Sequence, residues 1–277
     1  MVSQPITRAA ETVVSIAAEI PEITRLAERV DSFGRDHRIS ANAVNDMNVA
    51  LDEIVSNVVH HGGETARAHP IVIRIGLDGD RFFAEVRDQG MPFDPVAHVI
   101  PAPRADARRV PGNLGLLFVR TLMNEVRYAR EGQSNVLFLA KITTGLGPEP
   151  SPPFEVEASR PDAQSAVVAL RGMLVGTTHT KLRERLGELI DSGTLNIVVD
   201  LAETARISSS GFWLLFATRR RLDELRGRLV LCSPQPVVRT LFEIAGLLGE
   251  FTFTPDRAAA LQALREPVDP PRHPSAS

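Results

Sequence analysis

The sequence predicts an α/β protein built as two domains in tandem, and three observations carry that prediction. At 277 residues with 43% hydrophobic content, the chain can fill two cores of ordinary size, given roughly 150 residues per domain. Over residues 143–153, Gly145, Gly147, Pro148, Pro150, Pro152 and Pro153 crowd together and neither helical nor strand periodicity survives, which marks a short, stiff linker. After it, strand period alternates with helical period, the pattern of helices packed on a sheet, and before it helical and strand periods both occur. The domains are therefore expected at 1–142 and 154–266, with a disordered tail over 267–277, where Pro267, Pro270, Pro271 and Pro274 fall.

In the first half, Val44, Met47, Leu51, Val55 and Val58 recur at helical spacing and leave Asp46, Ala50, Glu53 and Asn57 on another face. Glu53 and Asn57 are then one turn apart. A carboxylate beside an amide can supply a general base and a neutral oxygen ligand for a hard cation, the two needs of phosphoryl transfer to a hydroxyl. The same spacing also describes a solvated helix face. His60 and His61 follow at the helix end, where adjacent imidazoles point apart, so capping or packing is expected of them rather than metal ligation. Next, Phe82, Ala84 and Val86 alternate with Arg81, Phe83, Glu85 and Arg87 as a half-buried strand, and the count places Asp88 on the apolar side. An inward carboxylate needs a donor, from the protein or from a ligand such as an adenine amino group. Gly90 gives a planar base room to approach, and Pro92 and Pro95 end the strand. A strand capped by an Asx-turn is the equal alternative. Arg104, Arg108 and Arg109 outnumber Asp106 in the loop that follows, which suits either closure over a triphosphate or a solvated loop. Gly112-Asn113-Leu114-Gly115 then opens a helix over 114–123, whose bare amides favour phosphate oxygens, although such a turn is also an ordinary way into a helix.

In the second half, strands are expected at 167–174, 196–201, 228–232 and 251–253, and helices at 179–190, 210–226, 237–245 and 257–264. That alternation implies a largely parallel sheet with Ile197, Val198 and Val199 in a central strand. The serines at 208–210 form a cap for the helix that Gly211 and Phe212 begin. Trp213 lies about 100° off the stripe of Phe212, Leu215, Phe216 and Leu222, half-buried under a loop or anchoring a partner. Cys232 is the only cysteine, which excludes an internal disulfide and fits a reducing, cytoplasmic setting. A formal net charge of -3 and a pI near 6.2 argue against a nucleic-acid surface. No apolar run reaches membrane-spanning length, and no signal peptide is evident at the amino terminus.

Residues from about 16 to about 141 resemble the GHKL-type ATP-binding domain, and within it the bacterial anti-sigma-factor serine kinases. The matching segments are Glu53 with Asn57, the run Asp88-Gln89-Gly90-Met91-Pro92-Phe93-Asp94-Pro95, and Gly115-Leu116-Leu117-Phe118-Val119-Arg120 with Leu122-Met123. The resemblance implies an α/β sandwich with a mixed sheet covered by helices. It makes Glu53 the catalytic base, Asn57 the magnesium ligand, Asp88 the adenine partner, Gly90 its backbone neighbour, and Gly112, Asn113, Leu114 and Gly115 the lid over the phosphates. The family carries glycine where this chain has Asn113, and asparagine tolerates the left-handed conformation that a glycine would adopt. With some fifty residues before Glu53, no room is expected for the helical hairpin of histidine kinases.

Residues 154–266 are similar to STAS domains, the fold of anti-sigma-factor antagonists, through Val198-Val199-Asp200-Leu201 and Ile207-Ser208-Ser209-Ser210-Gly211-Phe212. Ser209 occupies the position that the partner kinase phosphorylates in the antagonists. Ser208 and Val175 stand where that family carries acidic groups, so the expectation is a STAS module that docks or regulates without being turned over, with Ser209 as the candidate phosphoacceptor. Together the two resemblances imply a cytoplasmic protein serine kinase that uses ATP and Mg2+ in partner-switching control of transcription. Its implied partners are a separate STAS-type antagonist or a sigma factor, its own STAS domain in cis, and a second copy in a homodimer, with no nucleic acid and no membrane. The alternative is a nucleotide-gated binding module that sequesters a sigma factor or antagonist without significant phosphoryl transfer.

Overall fold

A computed structural model describes residues 10–99, 114–143, 152–162, 164–176 and 178–266. Among these, the first half runs β1 (Ala10–Ile16), α1 (Ile20–Asp36), α2 (Ala41–His61), α3 (Gly63–Ala68), β2 (Ile71–Asp78), β3 (Arg81–Asp88), α4 (Leu114–Leu122), β4 (Glu125–Glu131) and β5 (Ser134–Ile142). Its strands form one sheet in the order β1-β2-β3-β5-β4. The α/β class holds, but the expected mixed sheet is corrected: each described pairing is antiparallel. Tight turns suffice to join β2 to β3 and β4 to β5, with Gly79 and Gly132 supplying the positive φ of 62° and 59° that such turns need.

Helix α1 buries Ile23, Leu26, Val30 and Phe33, one stripe of an amphipathic helix. Helix α2 starts at Ser40, whose hydroxyl accepts from the Ala43 amide at 3.3 Å. Every residue of α2 from Ala43 to Val55 is buried, polar ones included, so it is enclosed on both faces rather than half-solvated. On the far side of the sheet, Phe83 stacks on Phe138 with centroids 5.6 Å apart, beneath the guanidinium groups of Arg74, Arg81 and Arg127. That cover buries Phe83 although the strand period points it away from the core.

The second half comprises β6 (Glu155–Ser159), β7 (Ser165–Leu174), α5 (His179–Asp191), β8 (Asn196–Ile207), α6 (Ser209–Glu224), β9 (Arg228–Cys232), α7 (Pro236–Ile244), β10 (Thr252–Thr254) and α8 (Arg257–Arg265). Its sheet has the order β10-β9-β8-β7-β6, parallel throughout except at the edge pair β6/β7. Strand β8 continues past the expected end at 201 to Ile207. Glu203, Thr204 and Arg206 break the apolar run without breaking the strand, and the extension carries the serine segment to the first domain.

The two halves share one continuous core. At the seam, Phe118 of α4 meets Phe212 of α6 with centroids 5.1 Å apart, and Phe212 in turn meets Phe242 of α7 at 4.3 Å. The proposed linker and tail fall mostly on residues 144–151 and 267–277, outside the described residues.

Candidate active site

One cavity of about 450 Å³ opens where α2, β3, the start of α4 and the start of α6 meet, lined among others by Glu53, Asn57, Asp88, Gly115, Ser209 and Trp213. Leu114 also lines it. Gly112, Asn113, Arg104, Arg108 and Arg109 lie outside the described residues. His60, at the end of α2, directs Nδ1 to the Ser56 carbonyl at 2.7 Å. Among the described residues, no group of three or more His, Cys, Asp or Glu side chains is placed to hold a metal ion.

Asp88 is buried, and its Oδ1 accepts from the Gly90 amide at 2.7 Å and from the Asn135 amide nitrogen at 2.9 Å. The inward carboxylate and the Asx-turn, weighed as alternatives from the sequence, are therefore one arrangement. A Cβ on Gly90 would sit 2.8 Å from Asp88 Oδ1 and 3.0 Å from the Gly62 Cα, so this turn admits only glycine without a shift. Asn135, not singled out from the sequence, stands opposite Asp88 in the β3/β5 register. Its amide nitrogen also donates to the Met91 carbonyl at 3.1 Å, and its Oδ1 accepts from the Tyr128 hydroxyl and from Arg130, each at 2.8 Å. The available signal was an asparagine opening the apolar stretch of β5, since strands are poor in asparagine.

Glu53 is 5% exposed, so it is not part of a solvated face. Its Oε1 accepts from the Ser209 amide at 2.6 Å and its Oε2 from the Ser209 hydroxyl at 2.7 Å. Burial pushes its carboxyl up to about 7, the charge of Asp52 adds to the rise, and the bonds from Ser209 oppose it. A Cβ on Gly115 would lie 2.1 Å from Glu53 Oε2, so glycine is what lets α4 start against this carboxylate. Asp52 is raised by burial to about 6 against the amide of Gly176, which donates to its Oδ2 at 3.1 Å. Asp52 Oδ1 is buried without a partner among the described residues. Ser208 holds the cap position of α6, yet its hydroxyl meets Ser210 Oγ at 2.8 Å instead of capping a backbone amide. Val175 is buried.

Further along the same helix, Asp46 is buried between two cations. Its Oδ1 accepts from Arg206 Nε at 2.6 Å, across the seam, and its Oδ2 from Lys141 Nζ of β5 at 2.7 Å. Neither pairing is legible in the sequence, because Arg206 reaches Asp46 from the other domain and Lys141 reaches it from a distant strand of its own. Trp213 remains 44% exposed at the cavity wall, with its ring edge-on to Phe216 at 6.2 Å.

Residues 16–141 match the family model of the histidine kinase-like ATPase domain, and residues 156–260 match that of the STAS domain. The second half is similar to BtrV of Bordetella bronchiseptica, which carries the name of an anti-sigma factor antagonist: 32% identity over 99 residues, covering 36% of this chain and 85% of that protein. It is also similar to the anti-sigma F factor antagonist of Lysinibacillus sphaericus, at 28% identity over 85 residues, 30% of this chain and 73% of that one. The crystal structure of an anti-sigma factor antagonist from Mycobacterium paratuberculosis superposes with a TM-score of 0.39 at 23% identity, over 42% of this chain and 99% of that chain.

Proposed function

For a chain that belongs to the histidine kinase-like ATPase family in its first half and to the STAS family in its second, a partner-switching regulator, we propose protein serine kinase activity that uses ATP and Mg2+. The working units are 1–142 and 154–266, joined by 143–153. The observation that carries this reading is the Ser209 hydroxyl bonded to Glu53 at 2.7 Å in the cavity that Asn57 and Asp88 also line.

The residues fit the reactants. Asp88 has one oxygen satisfied within the protein, and the other is the natural acceptor for an adenine amino group. A lone amide such as Asn57 suits magnesium, which keeps waters and takes its remaining ligands from phosphates instead of an all-protein cage. When bound, that ion neutralises charge on the phosphates. In the transfer, the serine Oγ bonds to the γ-phosphorus as the bond from that phosphorus to its bridging oxygen breaks. ADP keeps the electron pair, and the hydroxyl proton passes to Glu53. The base needs no movement to reach that proton. The acceptor class is a serine that opens a STAS helix, which Ser209 does here, and the same face is suited to the antagonist or sigma factor of a partner switch.

Two substitutions test the reading, with ATP affinity followed by the emission of Trp213, the chain's only tryptophan. Glu53→Gln is expected to keep ATP affinity within about twofold while phosphate incorporation falls by roughly 10²–10⁴. Asp88→Ala is expected to weaken ATP itself by about 10–100-fold, the worth of a hydrogen bond to a charged group. ATP binding with no phosphate transferred by the wild type would replace the kinase with a nucleotide-gated binding module, and unchanged affinity in Asp88→Ala would remove that residue from the site.

A further inference from the structure

We propose that the STAS domain is the resident occupant of the first domain's acceptor face, held by a reversible charge latch at Asp46, so that Ser209 is served in cis and a serine on a separate protein enters only when the latch opens. The phosphoryl half of this rests on the function proposed above; the latch does not.

Asp46 and Glu53 are two helical turns apart on α2 and so share a face. Across the seam, Arg206 and Ser209 sit three residues apart at the end of β8 and the start of α6. The ion pair and the acceptor are thus fixed to each other at both ends. With its side chain 7% exposed against 6% for Asp46, Arg206 is held in a dry seam, where it also reaches Asn42 Oδ1 at 3.4 Å. A dry pair adds little over an apolar seam, but removing one of its partners is strongly destabilising and a mismatch is not tolerated, so it selects one docking register.

Lys141 makes the pairing reversible. It belongs to the same domain as Asp46 and holds the second carboxylate oxygen, so when the domains part Asp46 keeps a cation and Arg206 goes to water. No buried charge is stranded by opening, unlike a pair with one partner on each side. The Gly176 amide on Asp52 is a third contact of the same seam.

The covalent tether then decides between internal and external serines. A short linker holds its domains at an effective concentration on the order of millimolar, so a separate acceptor at micromolar concentration is at a disadvantage of about a thousandfold. Phosphate reverses the preference. A phosphoserine at position 209 places about −1.5 to −2 charges against Glu53 and Asp52. On the STAS side the same group lies at the amino end of α6, where the helix dipole favours it. Transfer in cis therefore opens what the latch closes.

The test mixes two full-length variants: Glu53→Gln, which keeps the acceptor and lacks the base, and Ser209→Ala, which keeps the base and lacks the acceptor. With ATP and Mg2+, the wild type is expected to incorporate phosphate at a rate independent of protein concentration, and the mixture at micromolar concentration about a thousandfold more slowly. Adding Arg206→Ala to both members should raise the rate of the mixture about tenfold or more. A mixture as fast as the wild type overturns the cis assignment while the kinase reading stands. If the wild type takes up no phosphate, the kinase reading fails instead, and small-angle scattering without nucleotide decides the latch. Arg206→Ala is expected to lengthen the maximum dimension, and scattering identical to that of the wild type overturns the proposal.

Discussion

Glu53 owes its chemistry to where the fold puts it. In water its carboxyl would ionise near 4.5; enclosed between α2, α4 and α6 it is raised to about 7, the range in which a general base works best at neutral pH. Only the ionised carboxylate can take the serine proton, so single-turnover transfer is expected to climb with pH through about 7 and then level. The effect on stability has the opposite sign: burial favours the protonated form, so this contribution is fully present below 4.5 and is lost as the pH rises through about 7. A transfer rate that stays flat from about pH 5.5 to about pH 8 would contradict Glu53 as the base. That Glu53, Asn57 and Asp88 line one cavity follows from local period, since one helical turn separates the first two and strand alternation turns the third inward. Asn135, Asp46 and Arg206 were not legible in the sequence, because their partners lie 47 and 160 residues away and nothing local marks a residue whose neighbour arrives from another element.

At the scale of elements, α2 explains both what the sequence reveals and what it hides. Its apolar stripe predicts a helix packed on a sheet, and the polar remainder then reads as solvent-facing. The second domain covers that remainder, which no period within α2 can encode. The helices and parallel strands of the second half, apart from the extended end of β8, fall within a few residues of their expected places, since each buries one face in one core. The edge strands β1 and β6 were not anticipated, being short and partly exposed at alternate positions. The pairing of β3 with β5 depends on a side chain as well as on the ladder. Asn135→Ala removes the donor to Asp88 and to the Met91 carbonyl, and is expected to cost about 1–3 kcal/mol for the groups left unpaired. Urea unfolding reads this directly, and an unchanged midpoint would show that Asp88 is held without Asn135.

The whole molecule is more than two modules on a string. Its core runs unbroken across the seam through Phe118, Phe212 and Phe242, and Phe242 continues to Phe253 at 5.0 Å, so α6 is braced against the far side of its own domain. The two family matches agree with the two domains expected from the sequence, and docking of the STAS domain in cis was expected from its resemblance, but the residues that meet were not, because a boundary signal carries no information about an interface. No described helix is long and apolar enough to cross a membrane. The expectation of a STAS module that docks or regulates without being turned over has a direct test, since the Ser209 hydroxyl donates to Glu53 Oε2 at 2.7 Å. Mapping phosphate by mass spectrometry after one turnover with ATP and Mg2+ tests this most directly. The expected result is phosphate on Ser209 of the wild type and none on Glu53→Gln; an unmodified Ser209 in a wild-type chain that binds ATP would contradict it.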